Sequence, residues 1–197
     1  MKSYLIYDLE IEKAILGKGE RRLEDIEYCS GWNDHKGMGI SCLCAYDSVE
    51  DRYRIFCKDN MNEFYLMMYM NDRLFVTFNG VGFDNKVLEA HGYSPPAEGH
   101  YDILQELWIA HGLSPTFQYP SHVGFNMDAT CRVNDLQVKT GNGALAPINW
   151  QRGNIGTVID YCLNDVKMTQ QLFNKILQDG ELISPKTKQI IKMRSPW

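Results

Sequence analysis

The segment RLFVTF at residues 73–78 constrains the fold more than any other stretch of the chain. A short, nearly continuous apolar run reads as a central β-strand covered on both faces, since a strand with one wet face alternates apolar and polar residues. The break Asn79-Gly80-Val81-Gly82 follows, then a helix over residues 83–91 that ends at Gly92. Residues 3–9 read as a first strand. Residues 39–46 (GISCLCAY) and 53–57 (YRIFC) read as an antiparallel hairpin around the turn-rich 47–52. A sheet begun by a hairpin and continued by strand–helix units is a mixed α/β sheet.

The remaining elements follow from spacing and punctuation. Helices are expected over residues 62–70, 102–111 and 126–136, the last opening at Asn126 or Asp128 as N-cap. Gly141-Asn142-Gly143 and Pro147 put residues 139–153 in a loop, and a long helix over 155–178 closes at Gly180. Residues 11–38 are polar and glycine-containing and read as a long loop or inserted irregular segment. The expected organisation is one domain over 1–180 and a C-terminal tail over 181–197, partly mobile and basic at Lys186, Lys188, Lys192 and Arg194.

No stretch approaches the roughly 18 apolar residues of a membrane span, and the N-terminal apolar run is too short for a signal peptide. Cys29, Cys42, Cys44, Cys57, Cys131 and Cys162 form no CxxC pair and no zinc spacing. They read as reduced thiols, Cys42 and Cys44 on one strand face, and the expected compartment is cytoplasmic. The formal net charge of −5 argues against holding nucleic acid by bulk electrostatics alone. It leaves room for an enzyme whose acids are neutralised locally by metal ions.

Asp8 and Glu10 end the first strand, and the period of two puts both carboxylates on one face about 7 Å apart. Alone they also suit two solvated acids. Asp84 opens a helix, where a capping role serves equally well. Tyr161 and Asp165 lie four apart on the last helix, hence on one face, as a surface hydrogen-bonded pair would. Together these residues can converge on two divalent cations about 3.5–4 Å apart, the arrangement that clamps attacking and leaving oxygens in phosphoryl displacement. A tyrosine hydroxyl can orient the attacking water without holding the metal.

The segments YDLE (7–10), NGVGFD (79–84) and YCLND (161–165) resemble the three exonuclease motifs of the DEDD superfamily, in its tyrosine-bearing DEDDy branch. The stretch 141–166 further resembles freestanding members related to polymerase-associated proofreading exonucleases. The resemblance implies a ribonuclease-H-like fold, a five-stranded mixed sheet flanked by helices. It implies a 3′→5′ exonuclease acting on single-stranded DNA with two Mg²⁺ or Mn²⁺ ions held by Asp8, Glu10, Asp84 and Asp165. Tyr161 would position the nucleophile, and Asn79, Gly80 and Phe83 would meet the terminal nucleotides, Phe83 by stacking. A polymerase or helicase partner is compatible with it. Segment 11–38 has no obvious counterpart in the motif pattern. An exoribonuclease, a structure-selective endonuclease and a non-catalytic nucleic-acid-binding module use the same fold.

Four further features stand outside the motifs. Asp102 heads a helix as N-cap and is a candidate supporting acid behind the site. Lys139, Arg152 and Lys167 lie near the last motif in sequence as candidate backbone contacts. Trp150 suits either a core anchor or a stacking platform. The five histidines show no HxxxH or HExxH spacing.

Overall fold

The computed structural model describes residues 3–69, 72–139 and 141–197. Strand β1 (Tyr4–Glu10) lies at the centre of a five-stranded sheet, and a short helix α1 (His35–Met38) ends the segment that follows it. The hairpin β2 (Cys42–Asp47) and β3 (Arg52–Phe56) pairs antiparallel on one side of β1, Asp8 opposite Cys44 and Glu10 opposite Cys42. After helix α2 (Met61–Tyr69), strand β4 (Leu74–Thr77) pairs parallel on the other side of β1. Helix α3 (Asp84–Ala90) leads to β5 (His100–Asp102), which pairs parallel to β4. The order β3-β2-β1-β4-β5, three antiparallel strands and two parallel ones, is the expected ribonuclease-H-like mixed sheet flanked by helices.

Helices α4 (Ile103–Ala110) and α5 (Met127–Val133) are followed by a 3₁₀ turn at Gly143–Leu145, then α6 (Ala146–Gln151) and the long α7 (Ile155–Asp179). One face of the sheet carries Ile6, Cys44, Tyr46 and Val76 into a core with Leu104, Leu107, Cys162, Val166 and Phe173. The other face carries Leu5, Tyr7, Leu43, Ala45 and Phe75 against Phe64, Met68, Val87 and Leu88. The central strands are therefore apolar on both sides, as the run at 73–78 requires. Each fully buried Leu, Ile or Phe contributes about 1.5–3 kcal/mol.

Three expectations are corrected. The strand β5 at His100–Asp102 lies where the sequence shows only a loop and a helix start; three residues are too few to display a period of two. Residues 139–153 are not loop throughout, because Pro147 sits in the first turn of α6, where its missing N–H costs nothing. The helix expected to reach 136 stops at Val133, with Asp135 in the left-handed region (φ 54°). The end of the helix expected over 62–70 falls at Met70, outside the described residues. Residues 181–197 contain the hairpin β6 (Glu181–Ile183) and β7 (Ile190–Lys192). Leu182 and Met193 are buried, and Asn134 clips the hairpin through the Ile183 amide (2.8 Å) and carbonyl (2.9 Å). Among the described residues, no helix is long and apolar enough to cross a membrane.

Candidate active site

Parallel pairing of β1 with β4 and of β4 with β5 brings their carboxyl ends to one edge, and the candidate residues collect there. Asp8 and Glu10 point to the face covered by α7, as the period of two predicts. From α7, Asp165 falls within the buried stripe Val158, Cys162, Val166, Thr169 and Leu172, where helical spacing calls for an apolar residue. Carboxylate oxygens of Asp8, Glu10 and Asp165 all lie within 4.8 Å of one another.

That proximity is costly without a cation. Burial, then the charges of Asp84, Asp165 and Glu10, hold the Asp8 carboxyl well above its usual range. Burial and then Asp165 do the same to Glu10. Burial also raises Asp165, and Lys139 opposes it. Lys139 Nζ forms an ion pair with Asp165 Oδ2 (2.5 Å) and donates to the Tyr161 hydroxyl (2.7 Å). Among the described residues, the buried Asp165 Oδ1 has no hydrogen-bond partner. Three hard oxygen donors, one of them with no donor among the described residues, form a cluster able to hold a metal ion.

Asp84 lies outside the 4.8 Å trio but in the same cleft. Its Oδ1 accepts from the Leu9 amide (3.0 Å), tying α3 to the end of β1, and burial raises its carboxyl to about 7. Tyr161 is half-buried, and its hydroxyl is raised to about 12, chiefly by burial. The 141–143 loop passes close over this ring: a Cβ on Gly143 would come within 3.1 Å of the hydroxyl. The two glycines of that loop permit the approach.

The cleft is about 850 Å³ and is lined by all four acids and Tyr161, together with Asn79, Phe83, Trp32 and Lys139. Asn79 is exposed and adopts φ 73°, a conformation Asn tolerates. Gly80 is buried behind the loop against Thr77 and does not line the cleft. Asp102 is both cap and support. Its Oδ1 accepts from Leu104 (3.0 Å) at the start of α4 and from the Asn79 amide (2.8 Å), while Oδ2 accepts from Val81 (3.0 Å). The carboxylate thus fixes the 79–82 loop beneath Phe83.

The basic cluster suggested by sequence is dispersed. Only Lys139 enters the cleft, and Gln137, bonded to Asn164, holds its segment along α7. Arg152 pairs with Asp25 (2.8 Å), and Lys167 lies over the Tyr53 ring (5.6 Å), because two residues past Asp165 is roughly the opposite side of a helix. Trp150 packs against the core.

Sequence reading missed Trp32, which stands in an irregular segment with no period to mark it. It also missed the meeting of Cys42, Cys44 and Cys162, whose sulfurs lie within 4.8 Å of one another. The ladder register, Cys44 opposite Asp8 and Cys42 opposite Glu10, puts them on the same sheet face. Cys162 reaches the Asp8 carbonyl at 3.3 Å.

Fold and site together define a ribonuclease-H-like α/β protein with a carboxylate cluster able to hold a metal ion. No family model matches the chain, and no curated protein matches it. Among solved structures the chain is similar to one described as the ExoI/SSB-Ct complex, at 11% identity and a TM-score of 0.45. That match covers 88% of this chain and 44% of the other, so the chain spans less than half the length of that structure.

Proposed function

We propose that the chain is a metal-dependent 3′→5′ exonuclease that hydrolyses phosphodiester bonds at the 3′ end of single-stranded DNA and releases nucleoside monophosphates. The observation that carries this reading is the convergence of the Asp8, Glu10 and Asp165 oxygens within 4.8 Å, with Asp165 Oδ1 lacking a hydrogen-bond partner among the described residues. A buried cluster of like charges is retained at a cost, and perturbed carboxyls in a cleft mark functional sites. In this reading Asp8, Glu10, Asp84 and Asp165 hold two Mg²⁺ or Mn²⁺ ions. When bound, these ions supply Lewis acidity toward the phosphoryl oxygens and a water of lowered pKa.

The chain's own residues do the positioning. The Tyr161 hydroxyl, protonated throughout the neutral range, orients the attacking water by hydrogen bond. Lys139 holds that hydroxyl and offers a cation to the phosphate oxygens. The 79–83 loop, braced by Asp102, carries Asn79 and Phe83 to the terminal nucleotide, with Gly80 buried behind them. The 3′→5′ polarity and the DNA substrate come from the motif resemblance.

The experiment is digestion of 3′-labelled single-stranded DNA and RNA with Mn²⁺. DNA shortens from the 3′ end, EDTA stops it, and circular single strands survive. Asp8→Ala abolishes the activity by removing a ligand shared with the cluster. Tyr161→Phe lowers it by about a hundredfold while calorimetric metal binding persists. Wild-type protein that leaves both linear substrates intact over a wide Mn²⁺ range overturns the proposal.

A further inference from the structure

Residues 11–38, irregular by sequence, are tied to the body of the protein at several points. Gln151 on α6 donates to the Glu12 carbonyl (2.9 Å) and accepts from the Glu27 amide (2.7 Å), and Arg152 pairs with Asp25. Within the segment, Asp34 accepts from the Ser30 amide (2.8 Å), the Ser30 hydroxyl (2.9 Å) and the Gly37 amide (2.9 Å), closing a tight turn over 30–37. Trp32 projects from that turn and is 69% exposed.

An isolated exposed aromatic needs no explanation. Trp32 differs in three respects. It lines the same cleft as the carboxylates, its ring meets Phe83 edge-on (centroids 6.2 Å, 65°), and the turn presenting it is fixed by side-chain hydrogen bonds. A largely exposed indole beside Phe83 suits a flat, polarisable, amphipathic group. In a phosphodiester substrate that group is a nucleobase.

We infer that Trp32 is a base-stacking platform and that segment 11–38 is the cleft wall that presents it. It takes an unpaired base near the 3′ end of a single strand. This inference rests on the exonuclease reading and assigns the residue that takes an unpaired base. A base within a duplex has both faces covered by its neighbours and cannot reach the indole without leaving the helix. The platform therefore favours single-stranded ends and, because every base has a π-face, is indifferent to sequence.

The test combines Trp32→Ala and Trp32→Phe with a substrate-side scan. An abasic residue is placed in turn at each of the last four 3′ positions of an oligothymidylate, and kcat/KM is measured with Mn²⁺. In wild type, one position carries a loss of about 5- to 150-fold, the range that base–aromatic stacking covers. In Trp32→Ala the intact substrate suffers that loss, mainly in KM, and the abasic residue at the same position adds nothing. Trp32→Phe recovers most of it. Independently of turnover, oligothymidylate quenches wild-type tryptophan fluorescence in EDTA, and the quench disappears in Trp32→Ala. Equal abasic penalties in wild type and Trp32→Ala, or an unchanged quench, overturn the platform while leaving the exonuclease intact. A wild type that digests nothing overturns the exonuclease reading instead.

Discussion

Removing one charge from the acid cluster makes the metal-free protein more stable at neutral pH, although it removes a proposed ligand. The cleanest perturbation is Asp84→Asn. Asp84 is buried, and burial shifts its carboxyl from 3.8 to about 7. Asparagine keeps an oxygen for the Leu9 amide, so the tie between α3 and β1 survives. Below 3.8 the folded and unfolded chains both carry the proton. Between 3.8 and about 7 the unfolded chain releases it while the folded chain retains it, so stability falls as pH rises through that window. A displacement of this size corresponds to about 4 kcal/mol as an upper bound, at 1.36 kcal/mol per pH unit. For a chain of this length that amounts to a difference in Tm on the order of 10 °C. The assay is thermal unfolding in EDTA from pH 4 to 8. Asp84→Asn and wild type coincide at the acid end and diverge upward, the variant more stable at pH 8. Added Mn²⁺ narrows the gap, since ligand at a hundred times its Kd stabilises wild type by about 2.7 kcal/mol and the variant by less. Parallel pH profiles in EDTA refute the reasoning, because Asp84 then carries no repulsive or desolvation cost.

Two further substitutions separate chemistry from support. Lys139→Met withdraws the cation bridging Tyr161 and Asp165 and lowers the turnover rate by about a hundredfold with metal affinity preserved in calorimetry. An equal loss of metal binding shows instead that the ammonium organises the ligands. Asp47→Ala removes the carboxylate from the buried ion pair with Arg73 (2.8 Å) at the far end of β2. It costs about 3–5 kcal/mol in denaturant unfolding with kcat unchanged below the melting range. A shift below 1 kcal/mol means that the guanidinium is satisfied without Asp47.

Local patterning made the central strands legible. The continuous apolar run at 73–78 and the strand ending in Asp8 and Glu10 have few alternatives once a strand is assigned, because side-chain period fixes the face. The long helix α7 was legible by its spacing and its left-handed Gly180 cap. Three-residue β5 and the proline-started α6 were not, since neither is long enough to show a period and each owes its conformation to neighbours.

The candidate site divides in the same way. The order of the segments YDLE, NGVGFD and YCLND, through the resemblance, picks out Asp8, Glu10, Asp84, Tyr161 and Asp165 as candidate partners. Spacing alone only puts Asp8 with Glu10, and Tyr161 with Asp165, on one face of their elements. Only the tertiary structure brings β1 and α7 together so that three carboxylates share 4.8 Å, and only it delivers Lys139 from a loop 26 residues before Asp165. It also converts Asp102 from a helix cap into the brace of the 79–82 loop. Trp32 meets Phe83 through contacts between segments far apart in sequence, tied down by Gln151 and Arg152 on the opposite half of the chain. Periodicity reports the face a side chain takes on its own element. What stands opposite that face depends on long-range packing, and here it is packing that assembles the site.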